Sequence, residues 1–186
     1  FTGSGTVGKK VLSAAAVNLT PVTLELGGKS PCIVDSSADL KTAARRIMWG
    51  KILNCGQTCV APDYVLVDES RKQQFLTEMK TAFSHLYGKE IKKNPDFGRI
   101  VNERHMERLQ KILEQDAKYL FCGGGADTLQ RYIEPAILDL GKDLPDPLPE
   151  ILLHDRGIFE DASGGIQIPV LQHLVALQTH GVEMFQ

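Results

Sequence analysis

No cationic excess marks this chain, and that absence excludes a first class of partner. Its 186 residues carry 21 Lys and Arg against 23 Asp and Glu, a formal charge of −2, so no basic stripe is present to neutralise a nucleic-acid backbone. The densest basic stretch, Lys89 to Lys93, is broken by Glu90 and Ile91 and reads as a solvated loop. Long apolar runs are missing too: none approaches the roughly 20 residues of a membrane-spanning helix. The opening Phe1-Thr2-Gly3-Ser4 has neither an initiator Met nor a signal-peptide pattern, so the chain reads as a piece of a longer one. Cysteine is sparse. Cys32, Cys55, Cys59 and Cys122 form no CxxC pair and no ligand-spaced cluster with histidine, which argues against a zinc site and for a reducing, cytoplasmic compartment. Cys55 and Cys59 are close enough in sequence for a regulatory disulfide, although a buried thiol neighbouring a loop thiol is the commoner arrangement.

What is present is the composition of a globular chain, 42% apolar and 24% charged. Apolar spacing predicts a helix over 7–18 after a glycine-rich entry, stopped by Thr20 and Pro21. Short β-branched runs follow at 22–26, closed by Gly27 and Gly28, and at 32–35. A helix opens at Asp39 and runs to about residue 53, with Leu40, Ala43, Ala44, Ile47, Met48 and Ile52 on one face and Lys41, Arg45 and Lys51 largely off it. Further on, the pattern predicts strands at 64–67, 119–122 and 132–138 and helices at 70–86 and 102–115. That alternation implies an α/β fold with a mainly parallel sheet. Beyond residue 140 proline becomes dense, periodicity fades, and poor packing is expected.

Two stretches carry chemistry. Leu24-Glu25-Leu26-Gly27-Gly28-Lys29-Ser30-Pro31 places a carboxylate before two glycines that admit close approach, and Gly56-Gln57-Thr58-Cys59 places a thiol in a loop between a helix and a strand. A thiolate adds to an electrophilic carbonyl carbon, and a carboxylate activates water to cleave the thioester that results. Each residue also has a bland reading, Glu25 as a strand-end surface acid and Cys59 as an inert loop cysteine. Ahead of both, Gly3-Ser4-Gly5-Thr6-Val7-Gly8 satisfies G-x-G-x-x-G at a helix start, where free N–H groups receive a pyrophosphate. In an ordinary dinucleotide fold Glu25 would then clamp the adenosine ribose instead. A glycine-rich turn before a surface helix is the plainer alternative. Of the histidines, His85 and His105 fall on charge-rich helices and read as solvated, while His154, His173 and His180 lie in no motif, so a Cys-His hydrolase has no support.

In order and spacing, Phe1 to Gly8, the Glu25 stretch and the Cys59 stretch resemble the aldehyde dehydrogenase superfamily. The flanking text, including Ala61-Pro62-Asp63-Tyr64, Gly98-Arg99-Ile100 and Arg131-Tyr132-Ile133-Glu134-Pro135, is similar to its class 3 and fatty aldehyde branch, over about residues 1–140. The resemblance implies Cys59 as catalytic nucleophile, Glu25 as general base, and Gly3, Ser4, Gly5, Thr6, Val7 and Gly8 as the turn for NAD or NADP, with Gly3 and Gly8 the matched glycines and Gly5 incidental. It implies a small-molecule aldehyde as substrate and a homodimer for a complete member. It divides the chain into 1–54, the C-terminal part of the cofactor domain; 55–140, a portion of the catalytic domain; and 141–186, a divergent tail. Within the tail, Ser163-Gly164-Gly165-Ile166 and His173 echo a later family segment. The upstream half of the cofactor domain and the Glu-Glu-Ile-Phe-Gly-Pro motif expected after Leu138 do not occur, so impaired activity is expected. A catalytically silent module that pairs with a full-length subunit is the alternative.

Overall fold

The structure, a computed structural model, describes residues 1–141 and the strand 173–178. Helix α1, Gly5–Ala16, begins where the Ser4 side chain accepts from the Val7 N–H at 3.3 Å, and only Gly8 of the helix is buried. Strand β1, Ser30–Val34, leads to helix α2, Leu40–Ile52, capped by Asp39 accepting from the Thr42 N–H at 2.8 Å. Strand β2, Pro62–Val67, precedes helix α3, Lys72–Tyr87, and Asn102 caps helix α4, Glu103–Gln115, by accepting from the His105 N–H. These caps satisfy first-turn N–H groups that the helices cannot satisfy themselves.

After α4 come short strands: β3, Leu120–Cys122; β4, Ala126–Asp127; β5, Tyr132–Ile133; β6, Ala136–Asp139; and finally β7, His173–Gln178. Three of them join β1 and β2 in one five-stranded sheet in the order β1-β2-β7-β6-β3, and β4 pairs with β5 apart from it. One core runs between the sheet and the helices: Leu40, Ala44, Ile47 and Met48 of α2 meet Phe75, Leu76 and Met79 of α3 and Val65 and Val67 of β2. On β2 burial alternates, so Asp63 shares the buried face with Val65 and Val67.

Several expectations are corrected. The sheet is mixed rather than mainly parallel: β1 and β2 are parallel, whereas β2 with β7, β7 with β6, and β6 with β3 are antiparallel. Between β3 and β6 lie glycines and the small β4–β5 hairpin instead of the helical crossover that parallel neighbours need. The expected strand at 132–138 is two, because Pro135 offers no N–H and the halves join different sheets. The segment 22–26 forms only an isolated parallel bridge, Thr2 to Glu25, made by the Glu25 N–H donating to the Phe1 carbonyl and the Gly3 N–H donating to the Glu25 carbonyl. His105 is buried rather than solvated, and Lys51 lies in the core rather than off the apolar face. The tail 141–186, with Ser163 to Ile166, His154 and His180, lies outside the described residues, apart from Gly141 and the backbone of β7, which holds the middle of the sheet.

Candidate active site

The loop that carries Cys59 begins with an unusual turn. Asn54, Cys55 and Gly56 take φ of 51°, 59° and 74°, three successive residues in the left-handed region, which only glycine enters without cost. Surrounding contacts hold the turn in place. The Gln57 side chain donates to the Arg99 carbonyl at 3.0 Å and the Asn54 carbonyl at 3.1 Å and accepts from the Val101 N–H at 2.9 Å, while the Asn54 amide donates to the Gln57 carbonyl at 3.1 Å. The Cys55 thiol, fully buried, points to the Gly98 carbonyl at 3.3 Å. Strained backbone fixed by several partners is the usual setting of a functional loop.

Two thiols four residues apart differ in burial. Burial pushes Cys55 up to about 12, with Arg99 opposing only partly, so it stays protonated and inert. Cys59 is half-buried in the loop, between Thr58 and the exposed Val60. All four cysteines are free thiols.

The glycines after Glu25 bring the second stretch to the first. A Cβ built on Gly28 would lie 2.9 Å from the Cys59 carbonyl oxygen, so only glycine lets the two backbones meet at this distance. Glu25 is exposed, and its backbone is tied to the chain start: its N–H donates to the Phe1 carbonyl at 2.8 Å and its carbonyl accepts from the Gly3 N–H at 2.9 Å. The Glu25 stretch thus contacts both the chain at the Gly3–Gly8 turn and the Cys59 loop.

At the turn itself, Gly8 is buried because a Cβ there would touch the Leu24 and Leu26 side chains at 3.3 Å, and Ser4 is buried as the helix cap. Gly5 and Thr6 are exposed, and a Cβ on Gly5 meets nothing within 4 Å. The first turn of this 12-residue helix has no acidic side chain. A positive helix end with no carboxylate in its own first turn, and with Gly5 and Thr6 exposed, is compatible with a phosphate-bearing cofactor.

Behind the loop lies a group not anticipated from the sequence. Lys29 Nζ stands 3.1 Å from Asp63 Oδ2 and Lys51 Nζ stands 3.4 Å from Asp63 Oδ1, all three side chains 5% exposed or less. Burial pulls Lys51 down to about 8, with the Asp63 carboxylate pulling the other way. The signal was there: Lys51 falls four residues after Ile47, on the apolar stripe of α2, and Asp63 alternates in phase with Val65 and Val67.

Fold and site together define an α/β protein in which a glycine-rich acidic stretch packs against the backbone of a thiol-bearing loop and is bridged to the chain just before a capped helix. The aldehyde dehydrogenase family matches residues 1–144, and the chain belongs to that family. It is 52% identical over 139 residues to the dimeric NADP-preferring aldehyde dehydrogenase of Canis lupus familiaris, covering 74% of this chain and 30% of the relative. To aldehyde dehydrogenase family 3 member A2 of Rattus norvegicus it is 50% identical over 138 residues, 74% of this chain and 28% of that one. A solved structure described as the substrate-bound state of Staphylococcus aureus AldH superposes with a TM-score of 0.70 at 51% identity, over 73% of this chain and 30% of the other. The chain thus spans about 30% of the length of the relatives it matches. Among the described residues no helix is long and apolar enough to cross a membrane.

Proposed function

We propose that the chain carries the reacting groups of an NAD(P)-dependent aldehyde oxidation, with Cys59 as nucleophile and Glu25 as general base. The observation that supports it is the approach of Gly28 to the Cys59 carbonyl, which brings the acidic stretch beside the thiol loop. The Cys59 thiolate adds to the aldehyde carbon, its own backbone N–H donates to the oxyanion of the thiohemiacetal, and Glu25 later takes a proton from the water that cleaves the thioester to a carboxylate. NAD or NADP, when bound, would supply the hydride acceptor. Gly3, Ser4, Gly5, Thr6, Val7 and Gly8 would hold its phosphates at the start of α1. On this reading residues 1–54 contribute the turn and the base, residues 55–140 the nucleophile, the substrate is a medium or long aliphatic or aromatic aldehyde, and the working assembly is a cytoplasmic homodimer.

The parallel bridge from Thr2 to Glu25 favours a second role for the acid, since a ribose-binding carboxylate ends the strand beside the cofactor turn. An activated ester separates the two roles without any cofactor. Acetyl transfer from p-nitrophenyl acetate to Cys59 releases nitrophenolate in a burst, and hydrolysis of the acetyl thioester sets the later steady rate. Cys59→Ala abolishes the burst, and Glu25→Gln keeps it while slowing the steady phase by about 10²-fold. A burst that survives Cys59→Ala overturns the nucleophile, and an unchanged steady phase in Glu25→Gln returns the acid to the ribose. With NAD or NADP and an aldehyde, these 186 residues alone are expected to form little or no reduced cofactor, because Leu12 of α1 and Val17 and Leu19 just after it stay exposed beside the cofactor turn's helix. Robust turnover would contradict that expectation.

A further inference from the structure

The contact between Gly28 and Cys59 needs something to hold it, because a glycine contributes no side-chain attraction of its own. Immediately beyond it on both strands stand charged residues: Lys29 follows Gly28, and Asp63 follows the Cys59 loop at the start of β2. Their ion pair, 3.1 Å long and nearly sealed from water, joins the two stretches a few residues from Glu25 on one side and from Cys59 on the other. Lys51, on the last turn of α2 just before the strained turn, closes on the same carboxylate.

The strand geometry is adapted to this junction. β1 and β2 pair Ser30 with Pro62 and then Pro31 with Tyr64, so the register skips Asp63. Pro31 has no N–H to give to the ladder, and the extra residue on β2 bulges there. Asp63 lies on the buried face of β2, where a lone carboxylate would be costly and two ammonium groups make it tolerable. Two nearby groups feel these charges: the Cys32 thiol, raised by burial with Lys51 opposing, and Tyr64, raised by burial and by Asp63.

Building on the proposed roles of Cys59 and Glu25, we propose that Lys29, Asp63 and Lys51 form a positioning clamp that sets the reach of Glu25 to Cys59. The clamp touches neither substrate nor cofactor; it acts by fixing two backbone segments against each other. Low exposure makes it insensitive to salt, in contrast to the surface pair of Lys93 with Glu90. Burial pulls Lys51 down to about 8, against the Asp63 carboxylate, so that arm of the clamp loses its positive charge near pH 8.

The test is a coupling measurement on the full 186-residue chain, with iodoacetamide as probe and the alkylated peptide identifying Cys59 among the four thiols. On the proposed roles the Glu25 carboxylate works next to the thiol, so Glu25→Gln is expected to raise Cys59 alkylation at pH 7 by about threefold or more in the otherwise native chain. In the Lys29→Met background, which leaves Asp63 and Lys51 as a balanced pair and so keeps the fold, the same change has less than about half that effect. Lys29→Arg restores the coupling. If Glu25→Gln accelerates Cys59 equally in the native and Lys29→Met chains, the clamp is only structural and the inference falls while the roles of Glu25 and Cys59 stand. If Glu25→Gln changes nothing in the native chain, the two residues do not communicate, and both the underlying reading and the clamp are overturned.

Discussion

Gly28→Ala adds one methyl group at the place where the acidic stretch meets the thiol loop. The new Cβ would begin 2.9 Å from the Cys59 carbonyl oxygen, where ordinary van der Waals contact starts at 3.4 Å. The obstacle is backbone, not the end of a flexible side chain, so the segments must part by about half an ångström. Two effects on stability oppose each other. Overpacking of this kind costs about 1–3 kcal/mol, and the stiffer unfolded chain of alanine returns about 0.4–1 kcal/mol. A net loss of about 1–2 kcal/mol leaves the fold standing. The site is more sensitive than the fold, because a displacement of 1 Å costs about 10²-fold in rate, and half of that costs about tenfold. The p-nitrophenyl acetate assay reads the two consequences separately. The burst from Cys59 persists, the steady phase governed by Glu25 slows by about tenfold, and thermal melting drops modestly. A Gly28→Ala chain with a native steady phase would refute the argument that this glycine sets the distance between base and thioester.

Two further predictions rest on other parts of the fold. The Cys55 thiol is raised by burial from 9.0 to about 12, so its contribution to stability is complete below pH 9 and is lost as pH rises through that window, by at most about 1.4 kcal/mol per pH unit. Denaturant unfolding from pH 8 to 11 should therefore show a steeper loss for the native chain than for Cys55→Ser, and parallel curves would contradict the sign. Gly123 has φ of 81°, and a Cβ there would fall 1.9 Å from the Pro135 carbonyl oxygen, so Gly123→Ala should destabilise by about 3 kcal/mol or more in the same assay; a loss under about 1 kcal/mol would mean that β3 and β6 can separate freely.

Helices were legible because their apolar stripes and capping residues are local: Asp39 and Asn102 stand where the capping hydrogen bonds form. Strand direction was not legible, since it depends on partners distant in sequence, and β7 enters between β2 and β6 from the far end of the chain. At the site, the residue types of Glu25 and Cys59 and the glycines between them pointed to chemistry, whereas the packing of Gly8 against Leu24 and Leu26, and the open space around Gly5, came only from the fold. Charge misled where it was buried. Lys51 and His105 were assigned to solvent by their polarity, yet an ion pair with Asp63 and the packing of the first turn of α4 make their burial affordable. A pattern of residue types cannot report a partner that folding alone supplies.

The position of β7 also governs how the molecule reaches its native state. β2 ends at Val67 and β6 begins at Ala136, and the sheet joins them only through a strand that starts at His173. Until that strand arrives, β1 with β2 and β3 with β6 are separate pairs, each with open backbone edges. Closing a loop of about a hundred residues is a slow step with little local reward, so folding should be late and rate-limited by capture of β7. During synthesis the thiol loop and its acidic neighbour would emerge long before the sheet that steadies them is complete, and in that interval the half-sheets are the chain's points of exposure to aggregation.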